Sequence, residues 1–365
     1  VAAHSRNRAG ISETAVVMEY IYGGSNVLDK YSTVLTPAKR KDLFSKIDGE
    51  LVGLGIEMKQ AEGKGMLLVN VFPDSPADVG GARPGDHIVS IDGVDCRRMS
   101  AEQAANLLTG VAESQVRLEL LGRDGQIRGP LTFTRRPIQI KSIPIVKMLD
   151  RENGVGYLKL VSFQKSSATE LDAALSQLER QGMRSLIWDV RGNPGGLLTA
   201  AIEVLDRFLD RGVIVSTKGR DLGQDWKYSA HSTRTWKMPL ILLVDGNSAS
   251  ASEIAAGAIH DHKRGLLVGR KSYGKWSVQS ILDGNHSTGL RLTTAKFYSP
   301  SDRNYSHVGI EPDVAVAVED EYATYYRGAD ELNEQSDPDV AKALEILRSS
   351  EQYTTLTRGY GRGNP

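Results

Sequence analysis

Cysteine, excess charge and long apolar runs are all scarce in this chain. Its 365 residues include one cysteine, Cys96, which excludes an internal disulfide and a metal cluster held by several cysteines. Lysine plus arginine and aspartate plus glutamate both total 45, so the formal net charge is zero and no nucleic acid or other polyanion is indicated as a partner. No stretch approaches the roughly 18 consecutive apolar residues of a membrane-spanning helix.

The length and the start of the chain suggest its organisation. A chain of 365 residues exceeds one ordinary hydrophobic core, which predicts two or three domains. Its 40% hydrophobic and 25% charged residues are typical of a globular protein. The sequence begins at Val1 without the basic and apolar regions of a secretion signal, so we expect that any targeting segment has been removed.

The most informative stretch is residues 239–279. Its first seven residues, PLILLVD, are almost all apolar, which predicts a strand buried on both faces. Ser250 and Glu253 fit the Ser-x-x-Glu pattern of a helix start, and residues 265–268 predict a second buried strand. The sequence thus predicts a serine at a strand-to-helix turn, where the first helical amides point outward and carry partial positive charge.

A lysine follows this serine at a distance that suggests a catalytic pair. Lys275 lies 25 positions after Ser250 (275 − 250) in a loop that contains Gly274. A Ser-Lys dyad is a known variant of the Ser-His-Asp triad, and no triad spacing is evident here. Because a lysine acts as a base only when it is neutral, its pKa would have to fall from about 10.4 toward about 7 to 8.

The residues beside the lysine suggest how its pKa would be lowered. Tyr273, Trp276 and Val278 are its near neighbours in sequence, and burial among such side chains would disfavour the charged amine. Gln279 would orient the neutral amine without adding charge. Spacing alone leaves two alternatives open, because Ser-x-x-Glu caps many helices without a catalytic role and a lysine in a glycine loop is usually solvated.

Two further questions remain open from the sequence around the serine. Ser248 and Ser252 compete with Ser250 for the role of nucleophile. His260 and His262 flank Asp261, but two residues separated by one position on a helix do not share a face. No metal is therefore expected there.

Residues 47–137 predict a mainly β domain with a peptide-binding loop. In the tetrapeptide Gly53, Leu54, Gly55 and Ile56, the glycines would let successive amides face one way and bind a chain-terminal carboxylate. Residues 75–95, SPADVGGARPGDHIVSIDGVD, resemble a PDZ domain. The resemblance implies that a substrate tail adds as a strand beside Leu54 and Ile56.

Residues 138–318 predict an α/β core. Strands at 156–161 and 185–190 alternate with helices at 168–181 and 198–209, which predicts a parallel sheet with crossover helices. The loop 189–196, DVRGNPGG, lacks both the Lys-Ser/Thr pair of a P-loop and the G-x-G-x-x-G spacing. No nucleotide cofactor is therefore expected.

The motifs SASASEI, YGKWSVQ, NPGG and GIEPD together resemble the carboxy-terminal processing (tail-specific) protease family. This resemblance covers about residues 25–315. The family usually has glycine after the GK lysine, where this chain has Trp276. The roles that the resemblance implies are Ser250 as nucleophile, Lys275 as base, Gln279 beside the base, Asp261 as a supporting acid, and Gly195 or Gly196 with the Ala251 amide as the oxyanion hole.

The resemblance also implies an architecture and an activity. The expected fold class is α/β and multi-domain, with a crotonase-like protease core (138–318), an inserted PDZ domain (47–137), a helical N-terminal arm (1–46) and a polar, helical and partly disordered C-terminal segment (319–365). The implied enzyme is a serine endopeptidase, without cofactor or metal, that cleaves polypeptides near a free carboxy-terminal tail through an acyl-enzyme. An extracytoplasmic location, periplasmic or in the cell envelope, is expected, and a homodimer and peripheral membrane association stay open.

Two other functions remain alternatives. A peptide-binding scaffold with a degenerate site is expected if Trp276 displaces Lys275. A crotonase-like acyl-thioester enzyme is the other alternative, because glycine-loop oxyanion holes on such α/β layers also serve acyl-CoA. The lack of a recognisable basic loop for coenzyme A argues against the second.

Overall fold

A computed structural model describes residues 13–72, 74–231, 235–285, 287–317, 337–349, 353–354 and 357. The chain divides into two compact units, one formed by Phe44–Ile140 and the other by the residues within Val1–Leu43 and Lys141–Pro365. Predictions for the first 12 residues, and for most of the C-terminal segment outside 337–349, lie outside the described residues. No helix in the described ranges is long and apolar enough to cross a bilayer.

Helices and strands alternate along most of the described chain. The helices are α1 (Glu13–Asn26), α2 (Pro37–Asp48), α3 (Pro76–Val79), α4 (Ala101–Leu108), α5 (Ser167–Arg180), α6 (Leu198–Leu205), α7 (Ala251–Asp261) and α8 (Pro338–Arg348), with a 3₁₀ turn at Leu222–Gln224. The strands are β1 (Thr33–Leu35), β2 (Glu50–Gly53), β3 (Ile56–Ala61), β4 (Gly65–Val71), β5 (His87–Ile91), β6 (Val94–Asp95), β7 (Gln115–Leu121), β8 (Ile127–Thr134), β9 (Arg136–Gln139), β10 (Ile145–Asp150), β11 (Val155–Lys159), β12 (Ser185–Asp189), β13 (Val213–Gly219), β14 (Trp226–Ser229), β15 (Leu240–Val244), β16 (Leu266–Gly269), β17 (Ser277–Asp283), β18 (Gly289–Tyr298) and β19 (Val314–Ala315).

The unit Phe44–Ile140 is built on an antiparallel sheet. Its strand order is β3-β4-β5-β7-β8, with β6 beside β5 and a separate β2-β9 pair. Alternate residues of the strands enter one apolar core, in which Met66, Ile88, Leu120 and Phe133 are almost wholly buried. Strand β3 is an edge strand of this sheet and contacts helix α4, so one backbone edge of β3 has no strand beside it within the unit.

The larger sheet of the other unit has the order β10-β11-β12-β15-β16-β19. Five of its strands run parallel to one another, namely β11, β12, β15, β16 and β19, and β10 is antiparallel to β11. Neighbouring residues on its strands point to opposite faces, so Trp188 and Leu242 pack with α5, α6 and α7, whereas Ile187 and Ile241 pack with α8. The prediction that β15 is buried on both faces is confirmed, since every residue from Leu240 to Val244 is at most 1% exposed.

Most predicted elements of this unit are confirmed, with ends shifted by one or two residues. Helix α6 differs, because it ends at Leu205 rather than at residue 209. After it, Arg207 N donates to Val204 O and Phe208 N to Leu205 O, so the chain tightens into turns with three-residue hydrogen bonds. A second sheet, β1-β18-β13-β14 with β17 beside β18, was predicted only at β18.

Candidate active site

Ser250 occupies a strained turn between β15 and α7. Its backbone has φ 58° and ψ −114°, a conformation that residues other than glycine adopt rarely and at a cost. The residue directly precedes the first helical position, Ala251, and its side chain is partly exposed. The Ala251 N–H donates to no other described residue, so a free amide lies at the helix N-terminus beside the serine.

The structure distinguishes the three competing serines. Ser248 and Ser252 are fully buried, and both hydroxyls donate to the glycine loop that follows β12. Ser248 Oγ lies 2.8 Å from Val190 O, and Ser252 Oγ lies 2.9 Å from Asn193 O. Both serines therefore fasten that loop to the turn, which leaves Ser250 as the partly exposed hydroxyl among the three.

The glycine loop packs directly against the serine turn. A Cβ on Gly195 would lie 2.8 Å from the Ser250 Cβ and 2.9 Å from the Ala251 nitrogen, and Gly195 has φ +104°, so only glycine permits this approach. The Gly195 N–H donates to Asn193 Oδ1 at 2.8 Å. The Gly196 N–H, in contrast, donates to no described residue.

Glu253 joins the serine turn to the loop that carries Lys275. Its buried carboxylate accepts hydrogen bonds from Ser250 N at 2.9 Å, Lys275 N at 2.8 Å, Gly274 N at 2.7 Å and Ser272 Oγ at 2.7 Å. Burial raises the pKa of Glu253 above its ordinary value, although these hydrogen bonds oppose the rise. The sequence indicated this residue only as a helix cap. Its hydrogen bonds to Ser272, Gly274 and Lys275 depend on tertiary contact. No local sequence pattern predicts these bonds.

The Lys275 amine lies in an environment that disfavours its charge. Burial is the largest cause of its lowered pKa, the positive charge of Arg291 adds to the effect, and Glu253 opposes it. Nζ lies 5.0 Å from the centroid of the Tyr31 ring. With the other described residues it makes neither a hydrogen bond nor an ion pair, so the amine is held by packing.

A cavity of about 630 Å³ connects these parts. Its lining includes Lys275 and Tyr31 on one side, and Gly192, Pro194 and Ala249 from the glycine loop and the serine turn. The cavity is wide enough for a peptide segment. Lys275, whose amine has a lowered pKa, therefore lines the same space as Ala249, the residue before Ser250, and as the glycine loop that packs against Ser250. A hydroxyl, an amine of lowered pKa and free backbone amides are the groups that acyl transfer requires.

Comparison with known proteins identifies the family. A model described as Peptidase family S41 matches residues 154–316, and one described as PDZ domain matches residues 69–121. The carboxy-terminal-processing protease of Bartonella bacilliformis is 36% identical over 350 residues, 91% of this chain and 79% of that protein. This chain belongs to the carboxy-terminal processing protease family, peptidase family S41. It is a serine-type peptidase with a PDZ domain.

Two further similarities agree with this family. A carboxyl-terminal-processing protease from a Picosynechococcus species is 33% identical to this protease over 338 residues, 90% of this chain and 78% of the relative. Among solved structures, a photosystem II D1 C-terminal processing protease shares 28% identity with a TM-score of 0.53, over 93% of this chain and 87% of the other. The similarity therefore extends well beyond the S41 and PDZ matches.

Trp276 faces away from the cavity of the protease. It is 1% exposed and packs against Phe297 and Tyr305, with ring centroids 5.0 Å away in both cases. A Cβ on Gly257, in the middle of α7, would lie 3.1 Å from the indole, so the missing side chain of that glycine makes room for the tryptophan. The sequence expected Tyr273, Trp276 and Val278 to bury Lys275. The ring over the amine belongs to Tyr31, which the sequence did not indicate, whereas Tyr273 is 48% exposed and lines the same cavity as Lys275.

Gln279 and Asp261 of the protease lie apart from the Lys275 amine. Gln279 Nε2 donates to Ser277 Oγ at 2.9 Å and to Thr293 Oγ1 at 3.2 Å, so its amide is engaged along β17 and β18. Asp261 is the last residue of α7, and 11 residues of helix separate it from Ser250 by roughly 16 Å. Among the described residues, neither side chain makes a hydrogen bond to Ser250 or to the lysine amine.

The loop Gly53–Ile56 of the PDZ unit, which the sequence predicted to bind a carboxylate, has a defined backbone. Gly55 has φ +74°, and its carbonyl accepts from Phe72 N at 2.9 Å, while the Leu54 carbonyl accepts from Ala77 N at 2.9 Å. Leu54 is 2% exposed. The loop from Gly53 to Ile56 thus joins β2 to the edge strand β3.

Proposed function

We propose that this protease cleaves polypeptides near a carboxy-terminal tail through an acyl-enzyme on Ser250. The observation that carries the proposal is the Glu253 carboxylate, which binds the backbone N–H groups of both Ser250 and Lys275. One buried group thereby holds the candidate nucleophile and the candidate base in a common frame. The exposure of Ser250, compared with the buried Ser248 and Ser252, supports the choice of serine.

Lys275 is the proposed proton carrier. In its neutral form it takes the proton of Ser250 Oγ while the oxygen bonds to the substrate carbonyl carbon, and it returns that proton to the amine as the peptide C–N bond breaks. Water then attacks the resulting ester by the same route and regenerates the serine. The lowered pKa of Lys275 supports this role, because burial provides neutral amine at a lower pH than for a solvated lysine.

The proposed oxyanion hole consists of two backbone amides. Ala251 N–H lies at the N-terminus of α7, where the helix dipole favours developing negative charge. Gly196 contributes the second donor, since its amide makes no bond to a described residue whereas the Gly195 amide is bound to Asn193. Gly195 then has a different task, which is to allow the loop to approach Ser250 closely.

The PDZ unit is the proposed tail receptor. The free edge of β3 next to α4 can pair with an extended peptide, and amides of the loop Gly53–Ile56 would receive the terminal carboxylate. An extracytoplasmic location and a homodimer remain predictions of family resemblance. The crotonase-like description of the core likewise remains a prediction.

A serine-reactive fluorophosphonate tests the nucleophile. Intact mass should show one adduct, and peptide mapping should place it on Ser250. A wild-type protein that stays unlabelled and uncleaving, or an adduct on Ser248 or Ser252, contradicts the assignment. Ser252→Ala is the matched control, and it should remain labelled because Ser252 only donates to Asn193 O.

A pair of peptides tests the tail receptor. A peptide with a free apolar carboxy-terminus should be cleaved faster than its carboxy-amidated twin, since amidation removes the charge that the loop amides would bind. Equal kcat/KM values for the pair would contradict carboxylate recognition.

No observation favours the scaffold alternative, because Trp276 lies in the core and Lys275 keeps its place on the cavity.

A further inference from the structure

A cluster of buried charges connects helix α8 to the glycine loop. Arg191, at the start of the loop, is 4% exposed, and its guanidinium binds Asp337 through two hydrogen bonds of 2.9 Å and Asp339 through one of 2.6 Å. Both aspartates are at most 1% exposed. Arg270 binds Asp339 from the end of β16 at 2.6 and 2.7 Å, so two arginines converge on the first turn of α8.

On its other side, the Arg191 guanidinium donates hydrogen bonds to Asp189. Asp189, the last residue of β12, accepts from Arg191 Nε at 3.0 Å and from Nη2 at 2.7 Å, and its Oδ2 accepts from Tyr157 Oη at 2.7 Å. The Arg191 backbone N–H donates to Asp189 as well, at 2.8 Å. The arginine is thus held between the sheet and α8, and it has little freedom to move.

The rest of the loop is held from the other direction by the serine turn. Gly192 N donates to Asp245 Oδ1 at 3.1 Å, and Asn193 O accepts from Ala249 N at 3.0 Å. The loop therefore has three anchors, which are the charge cluster at α8, the turn that carries Ser250, and Phe163, whose N–H donates to Gly195 O at 2.9 Å and whose carbonyl accepts from Leu197 N at 2.8 Å. The Gly196 N–H lies between these last two bonds and donates to no described residue.

The free-energy cost of burying these charges suggests that the cluster has a role other than stabilising the fold. Buried ion pairs often contribute less to stability than apolar residues of the same volume, but they specify one arrangement, because removing a partner leaves an uncompensated charge. Helix α8 already docks through apolar residues, including Val340 and Leu344. The aspartates at its start add ion pairs to Arg191 and Arg270 beyond these apolar contacts.

We propose that Asp337 and Asp339 are positioning residues for the glycine loop: by clamping Arg191, helix α8 sets the orientation of the Gly196 amide beside Ser250. This inference rests on the proposed function, in which that amide stabilises the oxyanion. It assigns a role to a segment that follows the S41 match, which ends at residue 316. A helix from the C-terminal part of the chain thus completes the site without touching the substrate.

Asp337→Asn is the informative variant. Asp337 caps α8 by accepting from Asp339 N and Val340 N, and asparagine is an equally good cap, so the change removes the charge that faces Arg191 and keeps the helix start. We expect kcat to fall at least about tenfold with KM changed less than about twofold, because the loss of one oxyanion donor costs about 10² to 10³ in kcat. Asp339→Asn should act in the same direction, and Asp337→Glu should recover part of the loss.

Arg348→Gln is the matched control at the other end of α8. Arg348 Nε binds Asp150 Oδ2 at 2.8 Å, so the variant weakens the docking of the same helix without touching Arg191. It should leave kcat within about twofold of the wild type, as expected for a partly exposed ion pair. Hydrogen exchange of residues 191–197 should accelerate in Asp337→Asn and stay unchanged in the control.

The two readouts separate this inference from the proposed function. Faster exchange with a lower kcat supports the clamp, and unchanged exchange in Asp337→Asn overturns it, whether or not the protein cleaves peptides. A wild-type kcat in that variant, or an equal loss in Arg348→Gln, also overturns it. A wild-type enzyme without Ser250-dependent cleavage would contradict the proposed function, and the exchange result would still decide the clamp.

Discussion

Helix α7 carries a buried carboxylate near each end, and the two differ in pKa and in what they hold. Glu253, in the first turn, has a raised pKa because burial outweighs its hydrogen bonds to uncharged donors. Asp261, the last residue, has a pKa of about 2, because hydrogen bonds from His260 and the 299–301 turn outweigh burial. The partners thus decide the direction, since burial alone raises both.

The difference also separates two tasks along one helix. The first turn of α7 meets the Lys275 loop through Glu253, whereas its last residue binds Ser301 N at 2.9 Å and lies 3.1 Å from His260 Nδ1. The family resemblance implied a supporting acid at Asp261. In the structure Glu253 connects the backbones of the proposed nucleophile and the proposed base, whereas the hydrogen bonds of Asp261 lie at the other end of the helix.

The largest effect on activity is expected from Lys275→Arg, in the loop that binds Glu253 in the first turn of α7. A guanidinium cannot give up its proton at accessible pH, so cleavage should be lost. In the wild type, kcat/KM should rise with pH through an apparent pKa below the 10.5 of a free lysine and then level off, because burial and Arg291 disfavour the ammonium. Measured kcat/KM from about pH 5 to about pH 10 checks this, and an active arginine variant would exclude a lysine base.

The next largest effect is expected from Glu253→Gln. In either orientation the glutamine NH2 group would face a backbone donor, Ser250 N and Lys275 N or Gly274 N, so at least one buried donor would lose its acceptor at a cost of about 1 to 3 kcal/mol. We expect kcat to fall at least about a hundredfold, since the proposed nucleophile and the proposed base would lose their shared anchor. Steady-state kinetics and a urea melt measure both effects. Near-normal kcat would show that Glu253 only caps the helix.

Asp261→Asn should affect stability more than catalysis. The folded pKa of about 2 lies below the ordinary aspartate value of 3.8, so the contribution of Asp261 to stability is present above about pH 4 and is lost as the pH falls toward 2. It amounts to at most about 2 kcal/mol. Urea melts at neutral pH and near about pH 3 should differ less for the variant than for the wild type.

The Glu253 variant provides the control of opposite sign. Because the folded pKa of Glu253 is raised, its contribution makes the wild type less stable as the pH rises above 4.5, and Glu253→Gln removes that slope. If Asp261→Asn lowers kcat as strongly as Glu253→Gln, the division of tasks between the two ends is wrong.

The smallest effect on activity is expected from Trp276→Phe, at the residue that packs on Gly257 in the middle of α7. The indole fills the space above Gly257, and its Nε1 has no hydrogen-bond partner among the described residues. The loss of volume should therefore cost about 1 to 2 kcal/mol of unfolding free energy, partly offset by removal of an unsatisfied N–H. The pH dependence of kcat/KM should not change. A shifted profile would show that the indole affects the amine despite facing the core.

Patterns local in sequence predicted much of the fold and part of the candidate site. The apolar run before Ser250 predicted β15, because a strand buried on both faces needs apolar side chains at every position. The spacing of apolar residues predicted α5, since helical periodicity is visible within one segment. The second sheet was largely missed, because β14 and β17 are partly exposed, and because β1 and β13 pair with β18, which is distant from both in sequence.

The sequence by itself determined the order of the motifs, the family they belong to and the serine and lysine proposed for catalysis. Only the tertiary structure decided which ring lies over the Lys275 amine, which way Trp276 faces and which buried carboxylate connects Ser250 to Lys275. Tyr31 and Lys275 are 244 positions apart (275 − 31), and Asp337 follows Arg191 by 146. Contacts at such separations depend on how the sheets and helices pack, and no local propensity or period records them.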